Sequence, residues 1–164
     1  MAKNSPTQYF DKFDVPFLAG ECGREHRPEL VHMYDLFSPK VIAQGLPPAK
    51  AAERDRWIDG LLASSWNFLA WRDEQVVGHS AVLPNLDKKD AEYIVFVMPK
   101  HQNRGIGTML TSLALGTARD RGIRTVWLTV EPINFCAISL YKKVGFQFSD
   151  EDEGEAERFM VLQL

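Results

Sequence analysis

The chain has 164 residues, of which 45% are hydrophobic and 25% charged, and its formal net charge is −3. This length fits one globular domain over residues 1–164, and the charge balance excludes a basic nucleic-acid-binding protein and an acidic disordered chain. No apolar run reaches the roughly 20 residues that cross a bilayer, so no membrane interaction is expected. The polar first fifteen residues do not form a signal peptide, and we therefore expect a cytoplasmic protein.

The N-terminal part of the chain is predicted to hold one short strand and two helices. Residues 1–14 are polar with scattered aromatic side chains, which favours a tail or an edge segment, and a strand is indicated at 16–21. Helices are predicted at 27–37 and 49–63, because apolar residues recur there every three to four positions. The proline pair Pro47-Pro48 separates the two helices.

The rest of the chain combines strands with two further helices. Strands are predicted at 66–72, 75–83, 91–98, 125–130, 146–149 and 159–164. Helices are predicted at 105–121 and 134–144, each followed by a glycine that can end it, Gly122 and Gly145. Neither a repeat nor a linker interrupts the pattern, so the expected fold is α/β, a mixed sheet with helices on both faces.

A glycine-containing loop, residues 102–107, joins a predicted strand to the start of the long helix. Helix N-termini expose unpaired N–H groups and a partial positive charge, and such loops therefore bind anions. We expect positive φ at Gly105 and Gly107, which would let a phosphate approach the backbone. The spacing fits neither the dinucleotide fingerprint, whose third glycine is replaced by Leu110, nor the P-loop. A tight connection without a ligand is the alternative.

Two segments carry a resemblance to a known family. Residues 97–107 read Val-Met-Pro and then Gln-Asn-Arg-Gly-Ile-Gly, and residues 134–146 read Asn-x-x-Ala-x-x-x-Tyr-x-x-x-Gly-Phe. Both segments, in this order, resemble the signatures of the GNAT superfamily of acetyl-CoA-dependent N-acetyltransferases. The resemblance implies a mostly antiparallel central sheet with a splayed pair of parallel strands, acetyl-CoA as acetyl donor, and direct attack by an amine.

The same resemblance implies where the cofactor would lie. Pantetheine would pair with an exposed strand edge, the loop N–H groups would hold the pyrophosphate, and an N–H near Val97 would stabilise the oxyanion. The implied cofactor-binding residues are Val95, Phe96, Val97, Gln102, Asn103, Arg104, Gly105, Ile106, Gly107, Thr108 and Asn134. We expect the strand to be released from pairing near Pro99, which has no N–H. The alternatives are that Pro99 only ends the strand and that Asn134 only caps its helix.

Two proton transfers are needed. By resemblance Tyr141 is the general acid for the leaving thiolate, although it also fits a core position. A lysine-like amine with a pKa of about 10.4 is almost wholly protonated at pH 7 and needs a base. The candidate bases are Glu92, His79, Glu131 and Tyr93. We choose Glu92, because it shares a strand face with Phe96 near the expected reaction centre. A solvated carboxylate is the alternative.

The remaining predictions concern metals, the acceptor and competing functions. No metal is expected, since the histidines lack ligand spacing and Cys22 and Cys136 are far apart. The acceptor is expected to be a small-molecule or peptide amine. Segment 149–157 has six acidic residues and no basic one, which favours a cationic acceptor unless it is only a solvated loop. A homodimer is compatible with the sequence, and the alternative functions are a catalytically silent acyl-CoA-binding domain and a different phosphate binder.

Overall fold

The computed structural model describes residues 5–38, 47–150 and 157–164. Within these ranges the chain forms four α-helices, α1 Arg27–Leu36, α2 Ala51–Ser64, α3 Ile106–Asp120 and α4 Phe135–Lys143. The described residues also form eight strands, β1 Thr7–Phe10, β2 Pro16–Cys22, β3 Trp66–Arg72, β4 Gln75–Asn85, β5 Asp90–Val97, β6 Thr125–Val130, β7 Gln147–Phe148 and β8 Arg158–Gln163. Every predicted helix and strand is confirmed, with ends displaced by at most two residues.

The N-terminal segment differs from a simple tail. Residues 7–10 form β1, which pairs antiparallel with β2 at the edge of the sheet. Of the two alternatives for residues 1–14, these four residues follow the edge segment, whereas residues 1–4 lie outside the described ranges. The turn between the two strands is fixed by Asp11, whose carboxylate accepts hydrogen bonds from the backbone N–H groups of Phe13 and Val15. A single carboxylate thus stabilises a hairpin that the hydrophobic pattern signals only weakly.

All strands belong to one sheet with the order β1-β2-β3-β4-β5-β6-β8-β7. Every neighbouring pair is antiparallel except β5 and β6, which are parallel. The parallel pairing covers only three register positions, from Asp90 opposite Thr125 to Glu92 opposite Trp127. Beyond this point β5 continues to Val97 and β6 to Val130 without pairing with each other. The predicted mostly antiparallel sheet with a splayed parallel pair is confirmed.

Helices cover both faces of the sheet, as predicted. α3 and α4 pack on one face, where Leu110 and Tyr141 join buried side chains of β5 such as Tyr93. α1 and α2 pack on the opposite face, where Tyr34 and Ile58 meet β3. Side chains alternate along β5, so that Tyr93, Val95 and Val97 face α3 and α4 while Phe96 packs with α1 and α2.

The glycines after α3 and α4 end these helices as the sequence predicted. Gly122 has φ +86° and Gly145 has φ +108°, a left-handed conformation that glycine adopts without steric strain. The N–H of Gly122 donates to the carbonyl of Arg119 and the N–H of Gly145 to that of Lys142. Across the described ranges, no helix is long and apolar enough to cross a membrane.

Candidate active site

An unpaired strand edge lies between β5 and β6. The N–H of Met98 donates to the carbonyl of Val77 on β4 at 2.9 Å. Because N–H directions alternate along a strand, the N–H groups of Val95 and Val97 point away from β4 and into the gap left by β6. The edge therefore offers donors and acceptors to an extended ligand arm.

We expected β5 to leave its normal pairing near Pro99, and the structure shows that this position is wrong. β5 separates from β6 directly after Glu92, whereas its pairing with β4 continues to Val97 opposite Gly78. Pro99 instead begins a short 3-10 turn, Pro99–His101. Its missing N–H has no effect on the separation, because β5 leaves β6 well before Pro99 is reached. Met98, directly before Pro99, still donates to β4.

The glycine loop ends in an uncapped helix N-terminus. Gly105 is the N-cap of α3, with φ +94° and no side chain to accept from the helix. The first helical hydrogen bond runs from the N–H of Met109 to the carbonyl of Gly105, so the helix itself does not use the N–H groups of Ile106, Gly107 and Thr108. These donors and the helix dipole together favour an anion.

Positive φ at Gly107 is not observed, and that prediction is wrong. Gly107 lies in the first turn of α3 and adopts helical backbone angles; in this loop the residues with positive φ are Asn103 and Gly105. Its role is spatial, because a Cβ there would lie 2.8 Å from Cδ1 of Leu140 and 3.5 Å from Cγ2 of Val97. The absence of a side chain lets α3 approach both α4 and β5.

Two side chains of the loop, Gln102 and Asn103, make hydrogen bonds to different neighbours. Nε2 of Gln102 donates to the carbonyl of Val97 at 2.9 Å, which ties the loop back to the end of β5. The side chain of Asn103 accepts from the thiol of Cys136 at 3.1 Å, which links the loop to the first turn of α4. Thus the structure brings the two signature segments together around the unpaired edge.

Arg104 was expected to contact the cofactor, but its guanidinium binds elsewhere. Nε donates to Oδ2 of Asp11 at 2.6 Å, and the guanidinium carbon lies 4.9 Å from the ring centre of Phe13. Arg72 donates to the same carboxylate oxygen at 2.8 Å. Burial by itself would raise the pKa of Asp11. Hydrogen bonds outweigh this effect and hold the pKa well below its usual value; the donors are Arg104, the N–H groups of Phe13 and Val15, and Arg72. Sequence periodicity gives no signal for this contact, which joins residues 93 positions apart.

Asn134 and Tyr141 both hold structural positions on α4. Oδ1 of Asn134 accepts from the N–H of Ala137 at 3.2 Å, so it caps the helix. Tyr141 is buried against Phe146, with ring centres 5.7 Å apart, in the cluster that also contacts Val95 and Val97. Burial raises the pKa of Tyr141 well above its ordinary value, and the charge of nearby Cys136 adds a smaller effect in the same direction. Its hydroxyl therefore keeps its proton throughout the neutral range.

Glu92 lies where the parallel strands separate. The side chain is half-buried on the same face of β5 as Phe96. Burial raises the pKa of Glu92, and the negative charge of Glu157 raises it further. A carboxylate with a raised pKa is a stronger base than an ordinary one.

The other candidate bases differ from Glu92 in environment. Tyr93 is buried and its hydroxyl is 2.8 Å from Oγ1 of Thr111. His79 is fully buried and hydrogen-bonded at both ring nitrogens. Glu131 directly follows β6, and its backbone carbonyl accepts from Asn134. Tyr93 and His79 are therefore held inside the protein, away from any amine.

The hydrogen bonds around His79 fix its tautomer. Nδ2 of Asn67 donates to the carbonyls of Leu61 and Ser65, so Oδ1 of Asn67 must accept from Nε2–H of His79 at 3.0 Å. Nδ1 then accepts from the hydroxyl of Tyr34 at 2.6 Å. Burial lowers the pKa of His79 to about 3, and the ring is neutral at physiological pH.

A concave surface continues from Glu92 on the same face of the sheet. It has a volume of about 420 Å³, and its walls include the tilted pair Trp127 and Phe159, whose ring centres are 5.9 Å apart. Its other lining residues are Lys88, Asp90, Thr125, Ser149 and Val161. Most of the acidic segment predicted to attract a cation, including Glu151, Asp152 and Glu153, lies outside the described residues. Asp150 and Glu157, at its two ends, are described.

The described part of the chain brings no three His, Cys, Asp or Glu side chains together as a metal site.

Comparisons with known proteins point to one family. Residues 30–146 match the family model described as Acetyltransferase (GNAT) family. The chain is 34% identical over 110 residues to the mycothiol acetyltransferase of Thermomonospora curvata, covering 66% of this chain and 35% of that protein. It is 38% identical over 95 residues to the streptothricin acetyltransferase of Streptomyces lavendulae, covering 52% and 48%. The chain thus spans between a third and a half of the length of these relatives.

Solved structures agree at the level of the fold. The GNAT domain of S. lividans PAT superposes with a TM-score of 0.82 at 16% identity, covering 97% of both chains. The structure of yncA from Salmonella typhimurium, which contains its cofactor acetyl-CoA, gives a TM-score of 0.68 at 19% identity and covers 90% of this chain and 94% of that one.

Proposed function

Because the chain belongs to the GNAT acetyltransferase family, we propose that it transfers acetyl from acetyl-CoA to a primary amine of a small molecule or peptide. The observation that carries this proposal is the separation of β5 from β6 after Glu92, beside the uncapped N-terminus of α3. An unpaired strand edge fits the amide-bearing pantetheine arm, and free helix N–H groups fit its pyrophosphate. The residues present therefore match the chemical parts of acetyl-CoA.

Each chemical task in this proposal is assigned to a residue of the chain. When bound, acetyl-CoA supplies an activated thioester. The N–H groups of Val95 and Val97 would pair with the arm, and an N–H near Val97 would donate to the carbonyl oxygen as negative charge develops there. Glu92 would take the proton that the amine loses as the new N–C bond forms, directly or through water, and the hydroxyl of Tyr141 would give a proton to the thiolate as the C–S bond breaks. Proton exchange with solvent would then restore both side chains.

The surface beyond Glu92 favours a cationic acceptor. Asp90 lines the cavity together with Lys88 and the aromatic pair Trp127 and Phe159, and Glu157 acts on Glu92 through its charge. Aromatic faces attract cations within about 6 Å, and negative charge raises the local concentration of a cationic substrate. The relatives named for mycothiol and streptothricin support a small-molecule acceptor.

Release of free thiol from acetyl-CoA, measured with a panel of amines, tests the proposal. The panel pairs each monoamine with a diamine of similar length, and a reaction without protein corrects for spontaneous acetylation. We expect turnover with amines and a higher kcat/KM for acceptors that carry a second positive charge. Binding of acetyl-CoA without turnover of any amine would instead support the silent acyl-CoA-binding domain, and absence of binding would exclude both functions.

A further inference from the structure

The hairpin between β1 and β2 is attached to the glycine loop. The backbone N–H of Lys12 donates to the carbonyl of Arg104 at 2.9 Å. Nε of Arg104 donates to Oδ2 of Asp11 at 2.6 Å, and the side chain of Asp11 is fully shielded from solvent. The hairpin and the loop are therefore joined by a backbone hydrogen bond and a buried ion pair.

The side chain of Lys12 extends across Gly105. A Cβ placed on Gly105 would lie 3.7 Å from Cγ of Lys12 and 4.0 Å from its Cε. Lys12 is exposed, and its ammonium takes part in no ion pair within the described ranges of the chain. By contrast, Arg72 and Arg104 are both bound to Asp11. One carboxylate of the hairpin thus binds two guanidinium groups near the loop, while the ammonium of Lys12 stays outside these ion pairs and is available to a ligand.

We propose that Lys12 binds the pyrophosphate of the acetyl donor and that Asp11 is the positioning residue that holds Lys12 beside the glycine loop. This inference rests on the proposed use of acetyl-CoA. A flexible ammonium beside three unused helix N–H groups completes a site for a dianionic group, since both the helix dipole and the lysine favour negative charge there. Gly105 serves this arrangement by adopting positive φ, and the lysine stem lies within van der Waals distance of the position that a Cβ there would take.

Titration calorimetry of the full chain with acetyl-CoA tests the role of Lys12. We expect Lys12→Gln to weaken binding about tenfold at low salt, equivalent to about 1.4 kcal/mol, and the loss to shrink as added salt screens the charge. Lys50→Gln removes the same charge from an exposed lysine at the start of α2 and should leave the affinity unchanged. The loss should be equal for acetyl-CoA and its 3′-dephospho form, because Lys12 is assigned to the pyrophosphate.

A double-mutant cycle tests the role of Asp11. Asp11→Asn should also weaken acetyl-CoA binding, and adding Lys12→Gln to it should cost much less than tenfold, because Lys12 is no longer held in place. If the losses of affinity in the two single variants multiply in the double variant, Asp11 supports only the fold. If Asp11→Asn does not fold, Lys12→Gln still decides the assignment of Lys12.

The outcomes separate this inference from the proposed function. Failure of the unmodified protein to bind acetyl-CoA would overturn both. Binding by the unmodified protein and equally by Lys12→Gln would overturn the inference alone. A loss confined to acetyl-CoA and absent with the 3′-dephospho form would contradict the assignment of Lys12 to the pyrophosphate.

Discussion

Glu92 and Trp127 face each other at the last register position where β5 and β6 pair. The proposed base therefore lies at the point where the two strands begin to separate, with the unpaired edge of β5 on one side and the aromatic surface of β6 and β8 on the other. Strand geometry thus places a carboxylate between the expected donor and acceptor sites.

The first prediction concerns the conformation of the glycine loop. Gly105 and Gly122 flank α3, both with positive φ, and alanine in this conformation costs about 1 kcal/mol. We expect Gly105→Ala and Gly122→Ala to lower the free energy of unfolding by similar amounts. Only Gly105→Ala should weaken acetyl-CoA binding, because relaxation of its backbone redirects the N–H groups of the loop. Chemical denaturation and calorimetry measure the two effects, and equal affinities of both variants would contradict the phosphate role of the loop.

The second prediction separates a catalytic from a structural tyrosine. Tyr141→Phe retains the ring in the core and removes the proposed acid, so kcat should fall at least about 100-fold while acetyl-CoA affinity is retained. Tyr93→Phe is the matched control: it removes a buried hydroxyl bonded to Thr111, which should cost about 1 kcal/mol of stability and little of kcat. An unchanged kcat in Tyr141→Phe would leave Tyr141 a core residue only.

The third prediction concerns Glu92→Gln. The rate should fall at neutral pH, and the loss should become smaller as pH rises, because more of the amine is then already neutral. The raised pKa of Glu92 means that folding disfavours its ionised form, so the amide variant should be at least as stable as the unmodified protein at pH 7. This gain should vanish at acid pH, where both folded and unfolded Glu92 are protonated. A rate loss independent of pH would contradict the role as base.

The fourth prediction tests the neighbour of Glu92. The charge of Glu157 raises the pKa of Glu92, so Glu157→Gln should shift the acid limb of the kcat/KM profile to lower pH. The same change should reduce kcat/KM more for diamines than for monoamines, since it removes negative charge from the acceptor side. Rate profiles at constant ionic strength measure both effects. An unmoved acid limb would mean that Glu92 does not set it.

The fifth prediction concerns acid stability. The pKa of His79 is lowered to about 3 by burial. His79 therefore binds a proton near pH 6.5 in the unfolded chain but not in the folded chain. Stability from this group is present above pH 6.5 and is lost as pH falls towards 3, which amounts to about 2 kcal/mol between pH 8 and pH 5. His79→Gln should be less stable at pH 8, and its deficit should shrink by that amount at pH 5. A deficit that is constant with pH would contradict a neutral, buried His79.

Secondary structure was predictable here because local signals agree with the fold. Glycines that end α3 and α4, and apolar residues at helical or strand spacing, mark elements whose stability depends mainly on near neighbours. The position of the strand separation was not predictable, since it depends on register between β5 and β6, and Pro99 gave a misleading local cue. The partner of Arg104 was also hidden, because Asp11 belongs to a segment with almost no hydrophobic pattern. Predictions failed where long-range contacts decide geometry.

The position of β8 between β6 and β7 has a consequence for how the protein folds. β3, β4 and β5 are joined by short turns and can pair soon after collapse, whereas β8 must insert beside β6, to which it is connected through α4 and β7. Pairings between residues distant in sequence form slowly, because loop closure precedes the gain from contact. We therefore expect the meander of β3, β4 and β5 to be established before the aromatic surface formed by Trp127 and Phe159. In kinetic terms, the proposed acceptor side would be the last part of this chain to form.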